Sequence, residues 1–356
     1  MKNGECNPSF LPLTKGRLGG VNFGKMQKVA TFEVLESGIL TTIQDLGRYG
    51  FSQFGVPPSG ALDTFSLRVS NLLVGNEEEA CLEITLTGLR IRALKEVVIA
   101  ITGGDLFPTL NGEPVEMWRT HLLVQDDVVA FKKVSAGCRA YLSAGGGFVV
   151  PKIMGSSSTY LSGKFGGLEG RSLRRGDVLY TSNSSSSFDK LGLRFPSDWI
   201  PSLEKEVHLR VIPGPQDHHF TEKGFQTLTS SSYEVTPQCD RMGVRLEGPR
   251  IERRPDVEES IISEGLISGA VQVPGDGKPI IILTELVTGG YTKIATIISS
   301  DLPRVAQLKP GDRVKFKRIS IEEAHRLLKE QEERLKKFKK IIQNQALAVG
   351  RVGVDR

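Results

Sequence analysis

Residues 96–115 read EVVIAITGGDLFPTLNGEPV and show the pattern that decides the fold. The apolar run 97–101 is rich in β-branched residues and stops at Gly103-Gly104, as a buried strand does before a turn. Further on, Asn111-Gly112 divides two short runs, and this pair favours the positive φ angles of a two-residue hairpin turn. Residues 139–143 also run into glycines. The segment therefore predicts short strands joined by tight turns.

The composition of the whole chain extends this pattern. Its 356 residues include 39 Gly and 18 Pro. The chain has 39% hydrophobic and 24% charged residues, which is typical of a globular protein rather than a disordered one. At about 150 residues per domain, this length predicts two domains. We predict a mainly β fold with two β-barrel-like domains and a C-terminal helix, and one further helix within residues 61–73, where Leu62, Phe65 and Val69 recur at helical spacing.

The serine run at residues 184–187 and the prolines that follow it mark the best domain boundary. Residues 1–28 show neither a strand nor a helix period, and we interpret them as a flexible extension in front of a natural start at Met26. The predicted organisation is an extension at 1–28, an N-terminal β domain at 29–183, a linker at 184–205, a C-terminal β domain at 206–319 and a helix at 320–346.

The C-terminal helix has one apolar seam. Ser320 and Glu323 form the pattern of a capping box, which marks the start of a helix. Apolar residues then follow at steps of three and four as far as Ile342. Such a helix either docks onto another subunit or lies on its own barrel, with Lys336 and its basic neighbours in solvent.

Charge and cysteine usage exclude several classes of protein. The formal net charge of +5 is spread over the chain, so no face for nucleic acid is predicted. The four cysteines stand far apart without a CxxC pair, which argues against a disulfide framework or a zinc site and favours a reducing cytoplasm. There is no apolar run long enough to predict a membrane span. His218 and His219 are adjacent and are interpreted as surface residues, so no metal site is predicted.

Two common catalytic motifs are absent from the sequence. Neither a P-loop nor a Gly-x-Ser-x-Gly nucleophile elbow occurs. What remains are glycine-rich turns that carry polar residues, where backbone N–H groups can approach a ligand. Either these residues form a ligand surface, or Asp45 pairs with Arg48, and Asp240 with Arg241 or Arg245, only to fix turns. The candidates in these segments are Asp45, Arg48, Asp63, Asn71, Asp240, Arg241, Gln272, Tyr291, Lys293 and Gln307.

Seven of these segments closely resemble the biotin-dependent carboxyltransferase family, also called allophanate hydrolase subunit 2. They are TIQDLGRYG (42–50), GVPPSGALD (55–63), GSSST (155–159), GGLEGR (166–171), RMGVRLEG (241–248), QVPGDG (272–277) and TGGY (288–291). The resemblance implies that the C-terminal β domain is a cyclophilin-like barrel.

The chain departs from the family pattern at three places. Ser157 stands where many members have Arg, TELV (284–287) replaces a stretch closer to Asp-Arg-Gln-Thr, and Thr292 replaces a common Pro. If the family holds an anionic substrate at these positions, specificity differs in this chain.

The resemblance implies three alternative functions. The first is a component of an ATP-dependent 5-oxoprolinase, which opens 5-oxoproline to L-glutamate with subunits A and B. The second is transfer of a carboxyl group from carboxybiotin to urea or a related amide, although no biotin-attachment motif lies in this chain. The third is a non-enzymatic regulator that binds a kinase-inhibitor protein.

For the first function, the candidates divide into two roles. Asp45 or Asp240 would act as base. Arg48 and Arg241, together with Lys293, would hold developing negative charge. The amide substrate would be bound by Asp63, Asn71, Gln272, Tyr291, Lys293 and Gln307. ATP would be used by the complex, with the subunit that binds it not assigned.

Overall fold

The computed structural model describes residues 28–183 and 187–352, with side chains described as far as residue 344. The predicted N-terminal extension, including Met26, therefore lies outside the described residues except for Lys28, which begins the first strand. Of the predicted linker, residues 184–186 also lie outside them.

Two sheets form the first half of the molecule. The strands are β1 (Lys28–Ser37), β2 (Leu40–Gln44), β3 (Cys81–Thr85), β4 (Leu89–Ala93), β5 (Val97–Asp105), β6 (Pro108–Leu110), β7 (Glu113–Pro114), β8 (Thr120–Leu123), β9 (Val128–Phe131), β10 (Ala136–Ala144) and β11 (Val178–Ser182). One sheet has the order β11-β1-β4-β9-β6-β7, and the other β2-β3-β10-β5-β8. The Asn111-Gly112 turn joins β6 to β7, as predicted.

The two sheets enclose one apolar core, since alternate residues of a strand point to the same face. Phe32 and Val34 of β1 meet Ile84 of β3 and Ile99 of β5 in this core. Hydrogen bonds between strands do not join the two sheets into one ladder among the described residues. The first half is therefore built as a sandwich.

The second half closes its sheet into a ring. Its strands are β12 (Glu206–Pro213), β13 (Ser232–Cys239), β14 (Gly243–Glu247), β15 (Ser260–Gly265), β16 (Ala270–Val273), β17 (Ile280–Ile282), β18 (Thr288–Ile297) and β19 (Arg313–Arg318). The order is β12-β19-β13-β14-β17-β16-β18-β15, and β12 also pairs with β18. The β12–β19 pair is parallel, whereas β12–β18 is antiparallel.

Four α-helices complete the described fold: α1 (Thr64–Leu73), α2 (Glu222–Ser230), α3 (Leu302–Ala306) and α4 (Ile321–Val352). Capping side chains fix where three of them begin. The Ser66 N–H donates to Asp63 before α1, the Gly224 N–H to Thr221 before α2, and the Glu323 N–H to Ser320 before α4. The two helices predicted from periodicity are thus present.

Helix α4 packs on its own chain, as the second of the two interpretations predicts, but not on its own barrel. Leu335, Phe338 and Ile342 are buried in a cluster with Phe195, whose ring makes an edge contact with Phe338 at 4.8 Å between centroids. The lysines on the opposite side, such as Lys336, are exposed. The cluster contains residues of α1, so the helix covers the first half of the molecule rather than the barrel from which it emerges.

The mainly β class and the C-terminal helix are confirmed by this architecture. The likeness of the ring in the second half to cyclophilin stays a prediction. Among the described helices, none is both long and apolar enough to cross a membrane.

Candidate active site between the two halves

A network of buried polar side chains joins the two halves at their contact surface, which we call the seam. Gln307 follows α3, and its Oε1 accepts hydrogen bonds from the backbone N–H groups of Cys138 (3.0 Å) and Arg139 (2.9 Å). Its Nε2 donates to Asp63 Oδ2 (2.8 Å) and to the Arg139 carbonyl (3.0 Å). Both the oxygen and the nitrogen of the Gln307 side-chain amide therefore form hydrogen bonds with the first half of the molecule.

Asp63 has a structural position in the same network. Its Oδ1 accepts from the Ser66 N–H (2.8 Å) and its Oδ2 from the Ser66 hydroxyl (2.7 Å). Burial raises the pKa of Asp63, although the hydrogen bonds from Ser66 and Gln307 oppose the shift. We predicted Asp63 and Gln307 as substrate ligands, but the structure uses both to cap α1 and to hold the halves together.

Arg241 makes the strongest electrostatic connection across the seam. Its Nη1 donates to Glu83, its Nε to Glu285 Oε1 (2.6 Å) and its Nη2 to the Gly60 carbonyl (2.5 Å). Burial alone would lower the pKa of Arg241, but Glu83 and Glu285 outweigh it and raise the pKa. Because all three of its side-chain nitrogens are engaged, Arg241 connects the two halves of the chain. The alternative in which it pairs with Asp240 is not found among the described ion pairs.

Asp45 organises the loop of three serines that follows Gly155. Its Oδ1 accepts from the hydroxyls of Ser156 (2.6 Å) and Ser158 (2.5 Å) and from the Gly47 N–H (2.8 Å). Its Oδ2 accepts from the Ser157 N–H (2.5 Å). The expected Asp45–Arg48 pair is absent from the described ion pairs, since the serines and the turn take its place. All four donors belong to this loop and turn, so the carboxylate of Asp45 is used to hold the local backbone.

Arg48 lies beside this loop and is only 1% exposed. Its Nη2 donates to the Ser158 carbonyl, and its guanidinium stands 5.0 Å from the centre of the Phe165 ring. Within the described part of the chain, its Nε and Nη1 have no hydrogen-bond partner. Burial lowers the pKa of Arg48, while Asp45 and Glu285 oppose this effect. It is thus a buried cation with two nitrogens left for an anion.

Gly166 allows the backbone to approach this arginine closely. Its φ is +74°, and a Cβ atom there would lie 2.0 Å from the Ser158 carbonyl oxygen and 2.8 Å from Arg48 Nη2. No side chain fits in that space. The glycine-rich segment 166–171 therefore has a packing role at Arg48.

A cleft of about 430 Å³ opens at the seam, and we call it the seam cleft. One wall comes from the turn around Ser59 and from α1, and the facing wall from residues near Thr284 and from α3. Helix α4 contributes Leu328 and Leu335 to its side. The Ser59 N–H donates to the Thr284 carbonyl (3.2 Å), so the two walls meet at these residues.

A second group of predicted residues lies in the barrel. Lys293 is buried and its Nζ pairs with Glu264, which also accepts from Gln216 Nε2 (2.7 Å). Gln272 Nε2 donates to the Tyr291 carbonyl (3.3 Å), and the Tyr291 side chain is 43% exposed. No described hydrogen bond or ion pair joins this group to Arg48.

Asn71 and Asp240 lie apart from both groups. Asn71 is buried in α1, where it donates to the Glu79 carbonyl (2.8 Å) and accepts from Asn76 (3.0 Å). Asp240 is exposed, and its Oδ1 accepts from the N–H groups of Met242 (2.7 Å) and Gly243 (3.0 Å) in the turn between β13 and β14. In the described contacts, neither reaches the seam cleft or Arg48.

Sequence reasoning missed the two glutamates that bind Arg241. Glu83 stands in the middle of the buried strand β3, and a charged residue inside an apolar strand was an available signal. Its Oε2 accepts from the Leu62 N–H (2.9 Å) and the Tyr141 hydroxyl (2.8 Å). Glu285 lies in the stretch 284–287, which was noted only as a departure from the family. No group of three His, Cys, Asp or Glu side chains that could hold a metal ion occurs among the described residues.

The sequence profile of the carboxyltransferase domain, subdomain A and B, matches residues 54–318, which include both walls of the seam cleft. The chain belongs to this family. It is 37% identical to the C subunit of the 5-oxoprolinase of Escherichia coli over 84% of this chain and 95% of the relative. The corresponding C subunit of the Haemophilus influenzae 5-oxoprolinase is 32% identical over 87% of the chain and 98% of that protein.

A solved structure has the same fold. The urea amidolyase of K. lactis superimposes on 88% of this chain with a TM-score of 0.82 and 34% sequence identity. This chain spans only 20% of the length of that enzyme. The likeness therefore concerns one domain of a much larger protein.

Proposed function

We propose that this chain is the C subunit of a 5-oxoprolinase that opens the lactam of 5-oxoproline to L-glutamate. The proposal rests on the share of the relative's length that the match covers, together with the sequence identity. The match extends over 95% of the C subunit of the E. coli 5-oxoprolinase. By contrast, the chain corresponds to about a fifth of the urea amidolyase. A protein that matches the whole of one relative is expected to work in a similar assembly.

The chemistry of lactam opening fits the buried cation at the serine loop. Water adds to the ring carbonyl, the ring C–N bond breaks, and the nitrogen leaves as an amine after taking a proton. The substrate carries a carboxylate that must be held during these steps, and Arg48 has two buried nitrogens without a protein partner among the described residues. A cation in a water-poor site binds an anion more strongly than one in solvent. We assign Arg48 to this carboxylate.

We propose that neither of the two candidate aspartates of this chain acts as the base. Asp45 already accepts four hydrogen bonds, and Asp240 belongs to an exposed turn. Neither is therefore assigned the proton transfer. ATP would supply the activation of the lactam oxygen, and we propose that partner subunits A and B contribute the nucleotide site and the remaining catalytic groups.

The proposal is tested by mixing the purified chain with subunits A and B, 5-oxoproline and ATP, and assaying L-glutamate. We expect product only when all three proteins are present. A rate equal to that of the two-protein mixture would contradict the proposal. Omitting ATP from the complete mixture tests the nucleotide requirement separately.

The second candidate is carboxyl transfer from carboxybiotin to an amide nitrogen. The TM-score of 0.82 with the urea amidolyase favours it. This reaction needs a biotinylated carrier and a biotin carboxylase from other proteins. Supplying both with bicarbonate, ATP and urea would show carboxylated urea if this function is correct. The two assays have different products, so they separate the two candidates.

A further inference from the structure

Two buried hydroxyl groups lie on the seam cleft without hydrogen-bond partners in the described structure. They are Ser59 Oγ from the first half and Thr284 Oγ1 from the second half. Ser59 is 2% exposed. Buried hydroxyls are normally satisfied, so two unsatisfied ones on the same cleft point to a ligand that supplies the missing bonds.

The backbone holds Ser59 in an unfavourable conformation. Its φ is +52°, in the left-handed region that serine adopts at a cost. Its N–H donates to the Thr284 carbonyl (3.2 Å), and the carbonyl of the next residue, Gly60, accepts from Arg241. The seam network therefore fixes the position of Ser59 relative to Thr284, at the expense of local strain.

The surroundings of the two hydroxyls define the class of ligand. Leu62, Phe65, Leu283 and Leu286 supply apolar walls to the cleft. Each hydroxyl can donate one hydrogen bond and accept others. A cis amide presents its N–H and its C=O on the same edge, so one hydroxyl from each wall can accept from the former and donate to the latter. A lactam is constrained to this geometry, and urea offers it as well.

We propose that Ser59 and Thr284 form a subsite that binds the cis amide edge of the substrate, while the apolar walls receive its ring carbons. This inference rests on the proposed function, because it names the part of the amide substrate that the seam cleft recognises. It adds two substrate-contacting residues that differ from the arginine assigned to the carboxylate.

The proposal predicts an unusual combination of effects on binding and stability. Removing an unsatisfied hydroxyl from a buried position does not break a protein hydrogen bond, so Ser59→Ala and Thr284→Val keep or raise the melting temperature. Ser59→Gly also relieves the left-handed strain and raises it further. Each change lowers affinity for the lactam about tenfold, because the amide loses one partner.

The experiment measures binding by isothermal titration calorimetry with the full chain, alone and mixed with subunits A and B. The probes are 5-oxoproline, 2-pyrrolidinone, which keeps the lactam but lacks the carboxylate, and urea. Ser232→Ala is the matched control, because its hydroxyl is also buried and unpartnered in the described structure but does not line the seam cleft. We expect the control to bind 5-oxoproline as the unmodified chain does.

Two results would overturn the subsite. One is a Ser59→Ala/Thr284→Val double variant that binds both lactams within twofold of the unmodified chain. The other is an unmodified chain that binds none of the three probes in either setting. If lactam binding depends on both hydroxyls but the three-protein assay makes no glutamate, the proposed reaction fails and the subsite stands. Stronger binding of urea than of 5-oxoproline would assign the same subsite to the carboxyltransferase reaction.

Discussion

Glu83 and Arg241 form an ion pair across the two halves of the chain, and at most 3% of either side chain is exposed. They are 158 residues apart in sequence. With Glu285 on the same guanidinium and Arg139 at 4.0 Å from Glu83, four buried charges lie at the seam. Buried charges of this kind are held by one another rather than by water.

We predict that Arg241→Met lowers the free energy of unfolding by roughly 3–5 kcal/mol. It leaves the buried Glu285 without its cation and leaves Glu83 with only Arg139, at 4.0 Å. Denaturation by urea measures the change. Arg90→Gln is the control, since it breaks an exposed pair with Glu36 and should cost below about 1 kcal/mol. Equal costs for the two variants would show that the seam charges are not essential to folding.

We predict that Asp177→Asn destabilises the protein near neutral pH and that this difference disappears in acid. Burial would raise the pKa of Asp177, but hydrogen bonds from Arg171 and the Arg174 N–H outweigh it and lower the pKa below the usual 3.8. A carboxyl with a lowered folded pKa contributes stability above its unfolded pKa and loses it as pH falls through the folded value.

Thermal unfolding of both proteins between neutral pH and strongly acidic pH measures this effect. The melting temperatures should converge as the pH falls through and below 3.8, the ordinary pKa of the group. A constant difference over the whole range would contradict the assignment of charge to Asp177.

We predict that Phe338→Ala costs about 3–5 kcal/mol, because the ring is buried against Phe195 and its removal leaves a cavity under α4. Guanidinium unfolding measures the change, and Lys336→Ala on the exposed side of the helix should stay within about 0.5 kcal/mol. A small effect of Phe338→Ala would instead favour the interpretation of α4 as a helix for another subunit.

We predict that Arg48→Gln lowers the glutamate-forming activity of the three-protein mixture by roughly 10²–10³-fold, because the substrate carboxylate loses its cation. Arg48→Lys keeps a positive charge but lacks the planar guanidinium. Its activity should therefore lie between that of the unmodified chain and that of Arg48→Gln. Neither variant should approach the stability loss of Arg241→Met, since Arg48 contacts no carboxylate among the described ion pairs. Full activity of Arg48→Gln would remove this residue from the site.

The sequence allowed prediction of those features that depend on neighbouring residues. Strand alternation and the Asn111-Gly112 pair predicted the mainly β class, and the apolar period of α4 predicted the side that packs on Phe195. These signals are local because hydrogen-bonding pattern and side-chain direction repeat every two or 3.6 residues.

The site was less predictable, because its contacts join distant residues. Asp63, Arg241 and Gln307 were recognised as polar residues at glycine turns, but their partners lie across the seam. Whether each of these residues binds a ligand or stabilises the fold depends on how the two halves pack against each other. Arg48 shows the opposite case. Asp45, its possible partner, is bound by serines, and two nitrogens of Arg48 are left without a protein partner among the described residues.

The pairing of β12 with β19 has a consequence for how the protein is made. The barrel cannot close on the ribosome until its last strand has emerged, since that strand lies beside the first one. Only afterwards can α4 reach back to cover Phe195 on the first half. During synthesis the apolar surface around Phe195 therefore stays exposed until α4 has emerged, and it can make non-native contacts throughout that interval.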